Sequence, residues 1–223
     1  MIPYKDDNPT RTTPFVTLLI IAVNVGVFVL QLLSPKDGQQ IVYDYGAIPQ
    51  AILHFHSTQP IPAPLTIFTS MFMHGGLMHI GGNMLYFWIF GNNIEDRLGH
   101  LRFLFFYLFC GVVAALAHAL SSPGSAIPMI GASGAISGVL GAYLLLFPSA
   151  RVHTLVFFGF FFQVLRVPAL IVIGFWAIIQ LVSGLIGQGI LHHGGTAWFA
   201  HVGGFLVGLA TIKLWLPRRS VTW

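Results

Sequence analysis

The sequence predicts an all-α polytopic membrane protein, a bundle of six transmembrane helices, and three observations carry that prediction. The chain of 223 residues is 56% hydrophobic and only 7% charged, against roughly a quarter charged in an average soluble domain. It offers six apolar segments close to the ~20 residues that a spanning helix needs, separated by turn-forming or charged stretches. Its basic residues fall almost entirely on one side of a six-span arrangement. Ten Lys+Arg and six Asp+Glu cannot coat a globule of 24.4 kDa, whereas a chain dissolved in lipid needs charge only in its loops. Disorder, collagen and coiled coil are excluded by the same composition.

Residues 1–13 read as a tail, followed by a first span at Pro14–Ser34. That apolar run exceeds the roughly 7–15 residues of a signal-peptide core. No small-x-small site follows it in Leu32–Pro35, so it is expected to be a retained helix. Residues 35–76 then form an external loop. It mixes Pro60, Pro62 and Pro64 with scattered apolar residues, which predicts a structured segment lying partly in the interface. The remaining spans fall at Leu77–Asn93, His100–Ser121, Ser133–Pro148, Pro168–Gly187 and Thr196–Leu216. The membrane domain therefore covers 14–216, with a second tail at 217–223. Between spans four and five, Val152–Val164 is a phenylalanine-rich stretch of about 13 residues flanked by Arg151 and Arg166. It is too short to cross and reads as an interfacial or re-entrant loop, with a seventh span as the alternative.

Lys5, Arg11, Arg97, Arg102, Arg151, Arg166, Lys213, Arg218 and Arg219 lie on one side of this arrangement and Lys36 alone on the other. Positive charge marks the cytoplasmic side, so both termini are expected there, and spans two, four and six run from outside to inside. The net charge of +4 is scattered, with no basic cluster interleaved with aromatics, which excludes nucleic acid as a partner. The single cysteine, Cys110, cannot form an internal disulfide. His74, His192 and His193 have the composition of metal ligands but not the spacing of a zinc motif, so no metal and no other cofactor is expected. His100 and His118 read as interfacial residues near helix ends.

Polar residues inside a membrane are costly and face the bundle interior or a water-filled cavity. Four stand out: His79 and Asn83 in span two, Ser133 at the start of span four, and His201 in span six. Measured from the cytoplasmic basic belt, Arg97 to His79 is 18 residues, Arg151 to Ser133 is 18 and Arg218 to His201 is 17. At ~1.5 Å per residue each lies roughly 25 Å above the inner surface, with Asn83 about one turn lower on the face of His79. All four share one layer, close under the outer surface of a core about 30 Å thick. Spans four and six also carry small faces, Gly134, Gly138 and Gly141 in one and Gly204 and Gly208 in the other. Such faces let helix backbones approach closely, which would bring Ser133 within reach of His201.

A serine becomes a nucleophile when a nearby base takes its proton, and His201 is that base. Asp6, Asp7, Asp37, Asp44, Glu95 and Asp96 are all placed outside the spans, so a Ser–His dyad is the arrangement available. His79 and Asn83 can donate hydrogen bonds to charge developing on a carbonyl oxygen, together with the backbone N–H of Ser133. The absence of Asp or Glu within the spans argues against a channel or proton-coupled transporter.

Gly131-Ala132-Ser133-Gly134, Ala200-His201-Val202-Gly203-Gly204 and His79-Ile80-Gly81-Gly82-Asn83 resemble the three motifs of the rhomboid intramembrane serine proteases, G-x-S-G, A-H-x-x-G and H-x-x-x-N. Gly91, Glu95, Gly99, Arg102 and Phe103 look like the turn after the second helix of that family, and Asp6-Asp7-Asn8-Pro9 resembles a start common among its bacterial members. The resemblance implies a six-helix rhomboid-like bundle in the plasma membrane, with a cavity open to the outside, that cuts transmembrane segments of other proteins. It implies Ser133 as nucleophile, His201 as general base and acid, and His79 and Asn83 as oxyanion stabilisers. A pseudoprotease that binds membrane segments without cutting them would lack the serine or the histidine, and both are present. The chain departs from the family in two places. Leu65-Thr66 stands where many members have Trp-Arg, and Ser137 where some have a tyrosine that stacks on the catalytic histidine. The sequence therefore assigns no partner to His201. Helix five, with Phe175 and Trp176, and the loop Gly187–Gly195 are expected to serve as gate and cap.

Overall fold

The computed structural model describes residues 2–55, 58–158, 161–190 and 197–217. A strand, β1 (Ile2–Asp6), precedes the first long helix, α1 (Phe15–Leu33). The loop that follows folds into a 3-10 turn at Pro35–Gly38 and three short helices, α2 (Gln39–Tyr45), α3 (Pro49–His54) and α4 (Ala63–Ser70). Proline stands in the first turn of α3 and α4, where its missing N–H would have had no helical partner. Then come α5 (Leu77–Leu98), α6 (His100–Ser121) and α7 (Ser133–Leu146). A hairpin of β2 (Arg151–Phe158) and β3 (Phe161–Pro168) leads to α8 (Ala169–Ile190) and α9 (Trp198–Trp215).

Side-chain pairings set the direction of each long helix. Gly134 meets Ala114 and Gly138 meets Cys110, so α7 runs against α6. Gly134, Gly138 and Gly141 meet positions that advance along α9 from Ala200 to Leu209, so α7 and α9 run together. Gly184 meets Trp198 while Trp176 meets Phe205, so α8 opposes α9. With Thr17 on Glu95 and Gln31 on His74, α1 opposes α5. Among the described residues, four helices are long and apolar enough to cross a membrane: Phe15–Leu33, His100–Ser121, Ala169–Ile186 and Trp198–Trp215. Their outward faces leave Leu19, Leu30, Leu101, Leu120, Ile178, Leu185 and Leu206 exposed, an apolar surface larger than a soluble monomer presents. The interior is filled by Phe87, Phe90, Phe103, Phe106, Tyr107 and Tyr143.

Several expectations need correction. The all-α class gives way to a mostly helical fold with one small sheet, in the order β1-β2-β3 and antiparallel throughout. Val152–Val164 is neither a re-entrant loop nor a seventh span, because it supplies most of the β2–β3 hairpin. Its valines, threonine and phenylalanines favour strands, and buried Val152 and Thr154 alternate with Arg151 and His153. β1, within the segment read as a tail, completes the sheet with Ile2 opposite Leu155 and Asp6 opposite Val152.

The second helix of the bundle also runs five residues beyond Asn93, to Leu98, so Glu95 and Asp96 are helical and not in a loop. Glu95 is wholly buried. Its carboxylate accepts hydrogen bonds from the Val16 N–H (2.8 Å), the Thr17 N–H (2.8 Å) and the Thr17 hydroxyl (2.7 Å), and lies 2.6 Å from His100 Nδ1. It thereby satisfies N–H groups that the first turn of α1 leaves unpaired.

Candidate active site

Ser133 is the first residue of α7, and the chain reaches it through Gly131 at φ +123°, a conformation that side chains with a Cβ rarely adopt. The Gly131 N–H donates to the Ser70 carbonyl at 2.9 Å, and Ala47 and Met129 exchange two backbone bonds. The segment before Ser133 is thus pinned to the long loop between α1 and α5. A Cβ at position 131 would lie 2.8 Å from His79 Nε2 and 3.5 Å from Ser133 Oγ. Glycine there keeps open the space between those two groups.

His201 lies in the first turn of α9, brought to Ser133 by glycine packing. A Cβ at Gly204 would overlap the Gly134 carbonyl, one at Gly208 the Gly138 carbonyl, and one at Gly141 the Phe205 carbonyl. The two backbones pack in direct contact. Ser133 Oγ and His201 Nε2 are 2.7 Å apart, hydrogen-bond distance for a hydroxyl donating to an imidazole nitrogen. The Trp176 and Trp198 rings flank the imidazole, each with its centroid 6.1 Å away.

His79 and Asn83 line the same cavity of about 1410 Å³ as Ser133 and His201. The Gly75 N–H donates to His79 Nδ1 at 3.3 Å, so Nδ1 accepts and Nε2 carries the ring proton toward Gly131. Asn83 Nδ2 is buried with no protein acceptor. The four residues singled out by depth therefore meet at one cavity wall, from three helices that run in the same direction. Gln31 fixes the approach to His79 through a two-way bond with the His74 backbone, donating to its carbonyl at 3.2 Å and accepting from its N–H at 3.0 Å. Burial pushes the His74 imidazole down to about 4, which keeps the ring neutral behind His79. His118, read as interfacial, lines the cavity.

Sequence reasoning missed Gln180. It is buried on α8, and its Oε1 lies 2.6 Å from His201 Nδ1. Its signal is one amide in the middle of an apolar helix, one turn after Trp176. Ser137, at the family's tyrosine position, is buried and donates to the Ser133 carbonyl at 2.6 Å. His192, His193 and the loop end 191–195, where a cap was expected, lie outside the described residues.

A family model for the Rhomboid domain matches residues 63–218. The chain belongs to the rhomboid family. It is 27% identical over 218 residues to Rhomboid protease GluP of Bacillus subtilis (strain 168), covering 97% of this chain and 37% of that protein. It is 32% identical over 155 residues to Rhomboid protein 1, mitochondrial, of Saccharomyces cerevisiae, covering 67% of this chain and 41% of the relative. With the human Presenilin-associated rhomboid-like protein, mitochondrial, identity is 29% over 136 residues, 59% of this chain and 33% of that protein. The chain thus spans about two-fifths or less of these relatives. The family match starts at α4 and takes in every element that carries a site residue. This rhomboid is a multi-pass membrane protein; of the three relatives, the Bacillus subtilis protein is named as a protease and the other two as a rhomboid protein and a rhomboid-like protein.

Proposed function

We propose that this rhomboid is an intramembrane serine endopeptidase that hydrolyses peptide bonds in or near transmembrane segments of other membrane proteins. The observation that carries the reading is the 2.7 Å contact of Ser133 Oγ with His201 Nε2 at the wall of a cavity also lined by His79 and Asn83. Ser133 Oγ attacks the scissile carbonyl carbon while His201 Nε2 takes its proton. The carbonyl oxygen becomes an oxyanion held by His79 Nε2–H, Asn83 Nδ2–H and the Ser133 N–H at the positive end of α7. His201 then gives its proton to the leaving amine, and an acyl group stays on Ser133. Water attacks that ester as His201 takes a proton from it, and collapse returns the proton to Ser133 Oγ.

Hydrolysis within a bilayer needs water. α7, at 14 residues, is ~21 Å long and shorter than the ~30 Å hydrocarbon core. Its N-terminus therefore starts below one surface, beneath the polar segment Ser121–Ile130 that lines the cavity. The alternating directions of α1, α5, α6, α7, α8 and α9 support six crossings. With every basic residue but Lys36 assigned to the side away from Ser133, they support cytoplasmic termini and a cavity open to the outside of the plasma membrane. Impermeant thiol labelling of cysteines placed at Gly76 and Ser122, but not at Arg97, in sealed cells tests that orientation, and labelling of all three would refute it.

The activity is tested with purified chain in lipid and a defined transmembrane substrate. Wild type is expected to cleave it, and Ser133→Ala and His201→Ala each to abolish cleavage while staying folded, with the double variant little worse because the two act as one unit. Cleavage at wild-type rate by either variant would refute the dyad.

A further inference from the structure

We propose that Gln180 is a positioning residue for His201, the neutral counterpart of the third member of a catalytic triad. The inference rests on the reading of His201 as the general base. An amide oxygen only accepts hydrogen bonds. Since Gln180 Oε1 is 2.6 Å from His201 Nδ1, Nδ1 must carry the ring proton and donate it there. The lone pair then falls on Nε2, the atom 2.7 Å from Ser133 Oγ. The opposite tautomer would point an N–H at the serine hydroxyl and could not take its proton. The two contacts together also fix the ring plane, because both nitrogens are held at once.

The fold builds this contact deliberately from a separate helix. Gln180 follows Trp176 by one turn on α8, and Trp176 flanks the same imidazole, so one face of α8 addresses His201 twice. Gly184, a further turn on, packs against Trp198 and Phe199 at the start of α9. The position of α8 against α9 therefore sets whether His201 is held in its productive form. An amide buried in an apolar helix is costly unless its polar atoms are used, and this one faces the base.

The direct test is the ring-nitrogen NMR spectrum of the folded chain carrying 15N-histidine, with His201 assigned by difference from His201→Ala. His201 is expected as the Nδ1–H tautomer near neutral pH in wild type, and as a tautomer mixture in Gln180→Met, which keeps shape and replaces the amide oxygen with a sulfur that accepts only weakly. An Nε2–H tautomer in wild type, or no change in Gln180→Met, would overturn the proposal without touching the nucleophile assignment. Kinetics give the second readout. Gln180→Met should lower kcat by roughly 10–100-fold with KM unchanged, the range of a tautomer and orientation loss milder than a triad carboxylate's. Gln180→Glu restores an acceptor and should recover turnover, with the acidic limb of its pH profile moved to higher pH because a carboxylate holds the imidazolium proton. Equal loss in both variants with no movement of the profile would mark Gln180 as structural only. A wild-type chain whose Ser133 neither reacts with a fluorophosphonate nor cleaves substrate would sink the protease reading and this inference with it.

Discussion

Asn83→Ala separates oxyanion binding from substrate binding. The wild-type side chain is buried on α5 where it lines the cavity, and its Nδ2 has no protein acceptor, so the fold commits this donor to no other protein group. Leaving a buried donor unpaired costs about 1–3 kcal/mol. That cost is recovered only when negative charge appears on the substrate carbonyl, which is how an interaction comes to favour the transition state over the ground state. Removing the amide should therefore leave thermal stability unchanged or slightly raised, while kcat falls about 10²–10³-fold, some 3–4 kcal/mol. KM should move little. The assay is steady-state cleavage of a fluorogenic transmembrane substrate in proteoliposomes, with a melting curve on the same preparation and fluorophosphonate labelling of Ser133 run to completion. Labelling should still reach completion, since nucleophile and base are intact. A raised KM with kcat preserved would make Asn83 a substrate contact, leaving the oxyanion to His79 and the Ser133 N–H. A drop in melting temperature with kcat preserved would make it a packing residue.

Glu95→Ala removes the wholly buried acceptor of three hydrogen bonds from Val16 and Thr17, which also meets the exposed His100, and should cost about 1–3 kcal/mol of stability for each buried donor left unpaired. Denaturation in detergent reads it, and a loss below about 1 kcal/mol would show that α1 does not depend on this cap. Asp6→Asn should be neutral or stabilising at pH 7.5, because Asn keeps an acceptor for the Tyr143 hydroxyl, 2.6 Å from Asp6 Oδ2, without the charge. Burial raises the Asp6 carboxyl above its ordinary value, so the folded state binds its proton more tightly. Wild-type stability should rise as pH falls toward the carboxylate range, and the advantage of Asn should shrink with it. A gap in melting temperature that stays constant as pH falls from neutral through the carboxylate range would rule out that charge as the cause.

The long helices were legible because lipid-facing segments announce themselves by length and composition, and His100–Ser121 has the predicted limits. The polar layer was legible for a related reason: His79, Asn83, Ser133 and His201 are few and costly where they stand, and a count back from the basic belt placed them together. That count also explains what was lost. It runs back from the basic residues that follow spans two, four and six, and Gln180 lies in a span that follows one instead. α8 begins behind the hairpin, so the distance from Arg166 to Gln180 includes part of β3 and says nothing about depth. The hairpin itself was hidden because a short apolar run does not distinguish strand from interfacial segment by periodicity alone, and its other partner, Ile2–Asp6, is too short and too charged to read as a strand.

On the proposed reading, Gln180 is how a base is oriented in a chain whose apolar spans hold no carboxylate facing the site. Glu95 is buried, but it is committed to α1 at the other end of α5. A carboxylate placed beside His201 at the depth of Ser133 would have to be stripped of water, at a penalty of several kcal/mol per ion even after relaxation. The geometry leaves it one partner, an imidazole charged only during the reaction. An amide supplies the same lone pair at the same nitrogen without a permanent charge, and it can come from an apolar helix that still packs against lipid on its far side. Gln180 follows from the solvent as much as from the reaction: the same apolar composition that marks the spans also favours a neutral acceptor over an acidic one at the third position.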